Sequence, residues 1–239
     1  MMKHLFKVAV GFWVACYAVC AQVPLPGGLP AGFPHALLDV LGSRPSFYGK
    51  AQIQVASAAE TNFECNVAVL AGNMRLEVSS FQGASNLPSA DAVQLGQMHT
   101  ITLLRPDRNR MYVIYPMFSS YLELPFGPNK GSDPVSLPTV IKTALTNETV
   151  DDHPCEQSRW SVTEADGEHY DLSVWMATDY GNFPIQIKLT SPPTVVKFQD
   201  VQLQPPDVNL FEPPAQYAKY EGIQELILKT AARMQTNSP

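Results

Sequence analysis

Over residues 101–124 the chain reads ITLLRPDRNRMYVIYPMFSSYLEL, a run in which apolar positions follow a period of two, broken twice by turn residues. Strand side chains alternate between faces, so Met111, Val113 and Tyr115 fall on one side and Tyr112 and Ile114 on the other. Pro106-Asp107-Arg108-Asn109 supplies the first reversal: proline fixes φ, while Asp and Asn satisfy backbone groups locally. Pro116-Met117-Phe118-Ser119 supplies a looser second one. Both faces of these three predicted strands are apolar, so each needs a cover.

The strand pattern recurs on either side at a spacing of roughly ten residues. It predicts strands over 47–56, 63–71, 74–81 and 97–104 before the central run, and over 149–162, 170–177, 183–189 and 195–203 after it. Gly72-Asn73, Asp166-Gly167, Tyr180-Gly181-Asn182 and Pro192-Pro193 mark turns between them. Three segments carry a helical period instead. Residues 34–41 place Ala36, Leu37, Val40 and Leu41 before the stop Gly42. Residues 138–145 follow a capping Ser136, open on Pro138 and align Val140, Ile141, Ala144 and Leu145. Residues 221–235 place Ile223, Leu226, Ile227, Ala231 and Met234 on one face. The expected class is mainly β with some α: an incomplete antiparallel β-barrel, or half-barrel, closed by short helices and followed by a C-terminal helix.

Composition adds a compartment. Lys3 and Lys7, the apolar run 8–19 and Val19-Cys20-Ala21 read as a secretory signal over residues 1–21, cut before Gln22, so a periplasmic or secreted location is expected. A lipid anchor at Cys16 or Cys20 is the rival reading. Beyond it lie a Pro/Gly-rich leader with the short helix (22–46), one β domain (47–220) and a helix with its tail (221–239). Cleavage removes two of the 16 basic residues and none of the 22 acidic ones, leaving a net charge of −8. That balance argues against nucleic acid as a partner. Cys65 and Cys155 are expected to form a disulfide, closing a loop of about 90 residues. A metal held by His153, Cys155 and Cys65 has no supporting ligand spacing.

Catalytic chemistry is not evident. No nucleophile elbow, phosphate loop, zincin helix or dinucleotide fingerprint is present, and the five histidines are scattered. Asp151 and Asp152, taken as strand residues, would point to opposite faces and could not act as a pair. Neither an enzyme nor a cofactor is expected. What stands out is large adaptable apolar material, Met and aromatic side chains of the kind that line sites for greasy ligands.

Four stretches resemble the LolA/LolB-like superfamily of exported lipoprotein-sorting proteins. They are Asn73-Met74-Arg75-Leu76-Glu77; Leu104-Arg105-Pro106-Asp107 with Arg110 to Pro116 and Tyr121 to Leu124; Val174 to Ala177 with Phe183 to Gln186; and Asp207 to Ala215 ending in Tyr217. The resemblance implies a half-barrel whose apolar concave side binds acyl chains beneath inserted helices, the segment 138–145 standing in the place of such an insert. Arg75 is the closest match to the family's basic residue that contacts the lid. The candidates for lining the ligand site are then Met74, Met111, Tyr112, Val113, Ile114, Tyr115, Phe118, Val140, Ile141 and Trp175. On this reading the chain is a monomeric, exported, non-enzymatic binding protein for a lipid, acyl chain or other apolar ligand. The alternative is an envelope sensor or interaction module that meets an envelope protein partner.

Overall fold

A computed structural model of the protein describes residues 33–42, 44, 46–56, 61–82, 99–126, 139–163, 167, 169–191, 193–226 and 228–229. Helix α1 (Phe33–Leu41) precedes β1 (Phe47–Val55), β2 (Thr61–Leu70), β3 (Asn73–Gln82), β4 (Thr100–Arg105), β5 (Arg110–Tyr115) and β6 (Ser120–Pro125). Then come β7 (Thr139–Val150), β8 (His153–Thr163), β9 (His169–Ala177), β10 (Phe183–Leu189), β11 (Thr194–Gln202) and β12 (Ala218–Tyr220). These strands make one open sheet in the order β12-β6-β5-β4-β3-β2-β1-β11-β10-β9-β8-β7. Only β12 on β6 is parallel. Two meanders therefore run outward from the β1–β11 seam, and the sheet stays unclosed, a half-barrel of the predicted class.

Turn chemistry explains the sharp registers. Ala71-Gly72 (φ 49° and 78°) and Asp151-Asp152 (φ 47° and 67°) are two-residue loops with both residues left-handed, the pairing that matches strand twist. Asp151 and Asp152 thus sit in a turn rather than in the strand expected of them, because short polar side chains tolerate that backbone region. Pro106–Arg108 and Pro116–Phe118 are single 3-10 turns. Each ends on a left-handed residue, Asn109 or Ser119, whose N–H donates to the proline carbonyl.

One face, called inner here, carries α1. Phe33, Ala36, Leu37, Val40 and Leu41 are at most 1% exposed and pack with Phe47, Ile53, Val67, Met74, Val174, Ile187 and Val196. Farther along that face Val113, Tyr115, Phe118 and Leu122 meet Tyr220, Ile223 and Leu226, and Met111 touches both groups. On the outer face Ile101, Leu103, Tyr112 and Ile114 pack with Tyr121 and Tyr217. Both apolar faces of the central meander are therefore covered by chain.

Two further expectations fail. From residue 139 on, the predicted helix 138–145 is part of β7, an edge strand exposed along most of its length and paired, among the described residues, with β8 alone. Its side chains are exposed on both faces, so burial imposes no alternation, and a bulge follows between Ala144 and Asn147. The Cys65–Cys155 disulfide is also absent: both thiols are buried and free. Cys65 lies on β2 and Cys155 on β8, separated in the sheet by β1, β11, β10 and β9, so sequence distance gave no guide to proximity. The predicted signal, the leader up to residue 32 and residues 230–235 of the C-terminal helix lie outside the described residues. Of that helix, positions 223–226 and 228–229 are helical.

From β11 at the seam the chain must reach β12 beyond β6, seven strand spacings or roughly 34 Å away. Residues 203–217 form a strap across the outer face that could extend to about 50 Å, which leaves slack for the 3-10 turn Val208–Phe211. Arg105, 6% exposed, fastens it. Its Nη1 donates to Phe211 O at 2.8 Å and Glu212 Oε1 at 2.6 Å, while Nε and Nη2 grip the Asp107 carboxylate at 2.9 and 2.8 Å. Arg108 adds two bonds to Glu212 at 2.8 and 2.7 Å, and Arg75 Nη1 reaches Leu210 O at 3.1 Å. The hydrogen bonds from Arg105 hold Asp107 below the usual carboxylate range. Burial pushes Glu212 up, but bonds from Arg108 and Arg105 outweigh it and hold that group low as well.

Arg105→Met is expected to cost about 2–3 kcal/mol in urea unfolding at pH 7, less than a fully buried pair because both carboxylates keep solvent access. Carboxylates with depressed pKa stabilise above their unfolded value and lose that contribution as pH falls through the folded one, so the deficit should shrink below about pH 4. For the thiols, labelling the unfolded, unreduced protein should modify both Cys65 and Cys155; protection of the two together would restore the bridge.

Candidate functional site

Two surfaces are candidates, one on each face of the sheet. On the inner face α1 acts as a plug. Its buried side is apolar apart from Asp39, which accepts a hydrogen bond from Tyr170 OH of β9. Burial raises the Asp39 pKa, and the Tyr170 bond and nearby His35 offset that only in part. Arg44 follows the helix and donates to Asn182 O at 3.2 Å, tying the end of the plug to the β9–β10 turn. At the β7 edge the Lys142 ammonium sits 3.6 Å from the Trp160 ring centroid, and burial, followed by the charge of Arg44, lowers its pKa.

The outer face carries a cleft of about 970 Å³ between β1, β2, β3, β11 and the strap. Tyr48 and Lys50 reach it from β1, Asn66 and Ala68 from β2, Arg75 and Glu77 from β3, and Asp200 and Gln202 from β11. Gln204, Pro205, Pro206 and Leu210 of the strap form one wall. A bulge shapes it: Tyr48 pairs with Gln202 but Lys50 with Gln199, leaving Gly49 opposite two residues, with Asp200 left-handed at φ 51°. A Cβ on Gly49 would lie 3.0 Å from Val201 Cα and 3.2 Å from Gln199 O, so only glycine lets β1 and β11 approach this closely.

The residues predicted to line a ligand site do not converge on one surface. Met74, Met111, Val113, Tyr115 and Phe118 lie on the inner face within the two packed clusters, and half-buried Val140 packs against the larger of them. Tyr112 and Ile114 are under the strap, and Ile141 is 63% exposed on β7. Trp175 is buried, its Nε1–H donating to Glu148 and the Lys188 ammonium 4.8 Å above its ring. Arg75 alone borders the outer cleft, where it contacts the strap rather than any helix at 138–145. The remaining cleft residues carried no signal in sequence, because Tyr48 and Gln202 meet only through the β1–β11 pairing. Among the described residues no group of three His, Cys, Asp or Glu could hold a metal ion, and no helix is long and apolar enough to cross a membrane.

The two candidate surfaces thus belong to one open half-barrel, plugged on its inner face and strapped on its outer one. The solved structures similar to this chain include lipoprotein LppX of Mycobacterium tuberculosis, at 10% identity over 73% of this chain and 95% of that one, with a TM-score of 0.39. A domain assigned to outer-membrane lipoprotein sorting in Vibrio parahaemolyticus matches at 11% identity over 70% and 89%, with a TM-score of 0.25. An uncharacterized conserved protein from Thermus thermophilus matches at 10% identity over 80% and 99%, with a TM-score of 0.45. No family model matches the chain, and no curated protein matches it in sequence.

Asp39 gives the plug a pH dependence of defined sign. Because its folded pKa is raised, the native state holds that proton more tightly, and stability declines as pH rises from the ordinary carboxylate value through the folded one. Asp39→Asn should therefore be more stable than the parent at pH 7, with the gain vanishing near pH 3, as read by thermal unfolding across pH. A gain equal at both pH values would show that Asp39 is not desolvated by the plug.

Proposed function

We propose that the protein is a non-catalytic binding protein that holds an acyl chain or another apolar ligand against the inner face of its half-barrel, in the place taken by α1. The observation that carries this reading is the plug itself. A helix of nine residues covers the inner face through Phe33, Ala36, Leu37, Val40 and Leu41, and five residues, 42–46, separate it from β1. What one apolar helix covers, an apolar chain can cover, at about 25 cal/mol per Å² removed from water. Residues Met74 and Val140, from the predicted set, would then meet the ligand once α1 moves aside.

An interaction module is the second reading, and β7 favours it. Its outer edge has no strand beside it among the described residues, and Ile141 and Leu145 are exposed along it, a template for an extended segment of an envelope protein.

Competition between plug and ligand gives a direct test. Leu37→Ala should weaken α1 docking by about 2–4 kcal/mol. It should thereby tighten apparent binding of an apolar naphthylamine probe at least tenfold, since less free energy is spent on vacating the site. Palmitate should displace the probe from both forms. Probe binding that is absent, or weakened by Leu37→Ala, would overturn the reading.

A further inference from the structure

We infer that the outer cleft is a second binding site, for a neutral saccharide. Its floor is low, because Ala68 adds only a methyl and Gly49 only backbone, while the walls bring planar polar groups to one side of it. The volume of about 970 Å³ lies at the upper end of the range of small-molecule sites, enough for a short oligosaccharide.

Three features select the chemistry. First, the polar groups are already held in place: Tyr48 OH donates to Gln202 Oε1 at 2.6 Å and accepts from Gln204 Nε2 at 2.8 Å, and Gln204 Nε2 also reaches Gln202 at 3.0 Å. This triad ties β1, β11 and the strap together and leaves amide donors and acceptors with capacity to spare, which suits vicinal hydroxyls that donate and accept at once. Second, both cations of the lining are paired, and its third carboxylate, Asp207, adds negative charge and accepts from Asn209 N–H. Lys50 pairs with Asp200 at 2.8 Å and Arg75 with Glu77 at 2.8 Å, so no free cation waits for a phosphate or a carboxylate. Third, the half-buried Tyr48 ring and the Pro205-Pro206 pair set apolar surfaces beside those polar groups. A pyranose has the same division between its C–H faces and its hydroxyl rim. An acyl chain would strand the amides unpaired, a cost of about 1–3 kcal/mol for each one buried.

The site is separate from the inner face, so it stands or falls independently of ligand binding there. The test is a titration of the full chain, followed by amide NMR shifts and calorimetry, with maltotriose, cellotriose and chitotriose as neutral probes. Inorganic phosphate and hexanoate serve as charged and apolar controls. At least one trisaccharide should bind in the micromolar to millimolar range and shift amides of residues 48–50, 66–68 and 200–207. Tyr48→Ala should weaken that binding at least tenfold, and Gln204→Ala, at an exposed position that leaves the sheet intact, at least threefold. The inference fails if none of the trisaccharides shifts the cleft, if the shifts survive both substitutions, or if phosphate or hexanoate binds there more tightly than any of them.

Discussion

Arg105 decides whether the outer half of this sheet has a shape at all. The chain leaves β11 at the centre of the sheet and must return to the far edge to lay β12 on β6, crossing the strands between as a strap with no ladder of its own. Arg105, the most buried of the three arginines that fasten it, grips Asp107 on one side and Phe211 O with Glu212 on the other. Five donors in one plane can hold a carboxylate by two parallel bonds and still reach partners on the other side, a fork that a lysine ammonium lacks. Once Phe211 is pinned, Tyr217 lands on Ile101, Leu103, Tyr112 and Ile114, and the second apolar face of the meander is dry. The strap also makes one wall of the outer cleft, so the clamp sets the geometry of that site from a distance.

Most of the sheet was readable because its strands obey period two and its turns use residues with a defined backbone preference. The two Pro-led 3-10 turns and Tyr180-Gly181-Asn182 fall where the alternation breaks, and the hairpin expected at Gly72-Asn73 turns one residue earlier, at Ala71-Gly72. The helix assigned to 138–145 failed for a physical reason. β7 lies at an edge and is solvated on both sides, so no burial alternates along it and its apolar positions are free to fall at a helical spacing. Val140, half-buried, and Ile141, 63% exposed, are the plain sign of a strand, and sequence cannot show exposure.

The candidate sites were less legible than the fold. Three of the four stretches that suggested the lipoprotein-sorting resemblance turn out to touch one another: Arg75, the Arg105 to Asp107 turn and the 207–215 segment form the strap and its fastenings. Their shared role here is to close the outer face, a structural task that a motif read as ligand-binding would not reveal. The outer cleft left no trace in sequence, since Tyr48, Asn66, Gln202 and Gln204 have ordinary surface compositions until pairing brings them together.

One strand joins the two faces. In β1 the side chains of Ala51, Ile53 and Val55 belong to the inner core, while Tyr48 and Lys50 border the outer cleft. Phe47, beside Tyr48, stacks edge-on against Phe183 in the inner core. A slip of one residue would exchange the faces, putting a lysine into the core and an isoleucine into the cleft, so the register of β1 against β11 has to be fixed at both ends. It is fixed at one end by the continuous pairing from Ala51 with Phe198 to Val55 with Thr194. At the other end Gly49 faces the left-handed Asp200, and the bulge absorbs one extra residue of β11 before Gln202 meets Tyr48. The same irregularity that completes the outer cleft thus protects the inner face, because without it the apolar alternation of β1 and that of β11 could not both be satisfied.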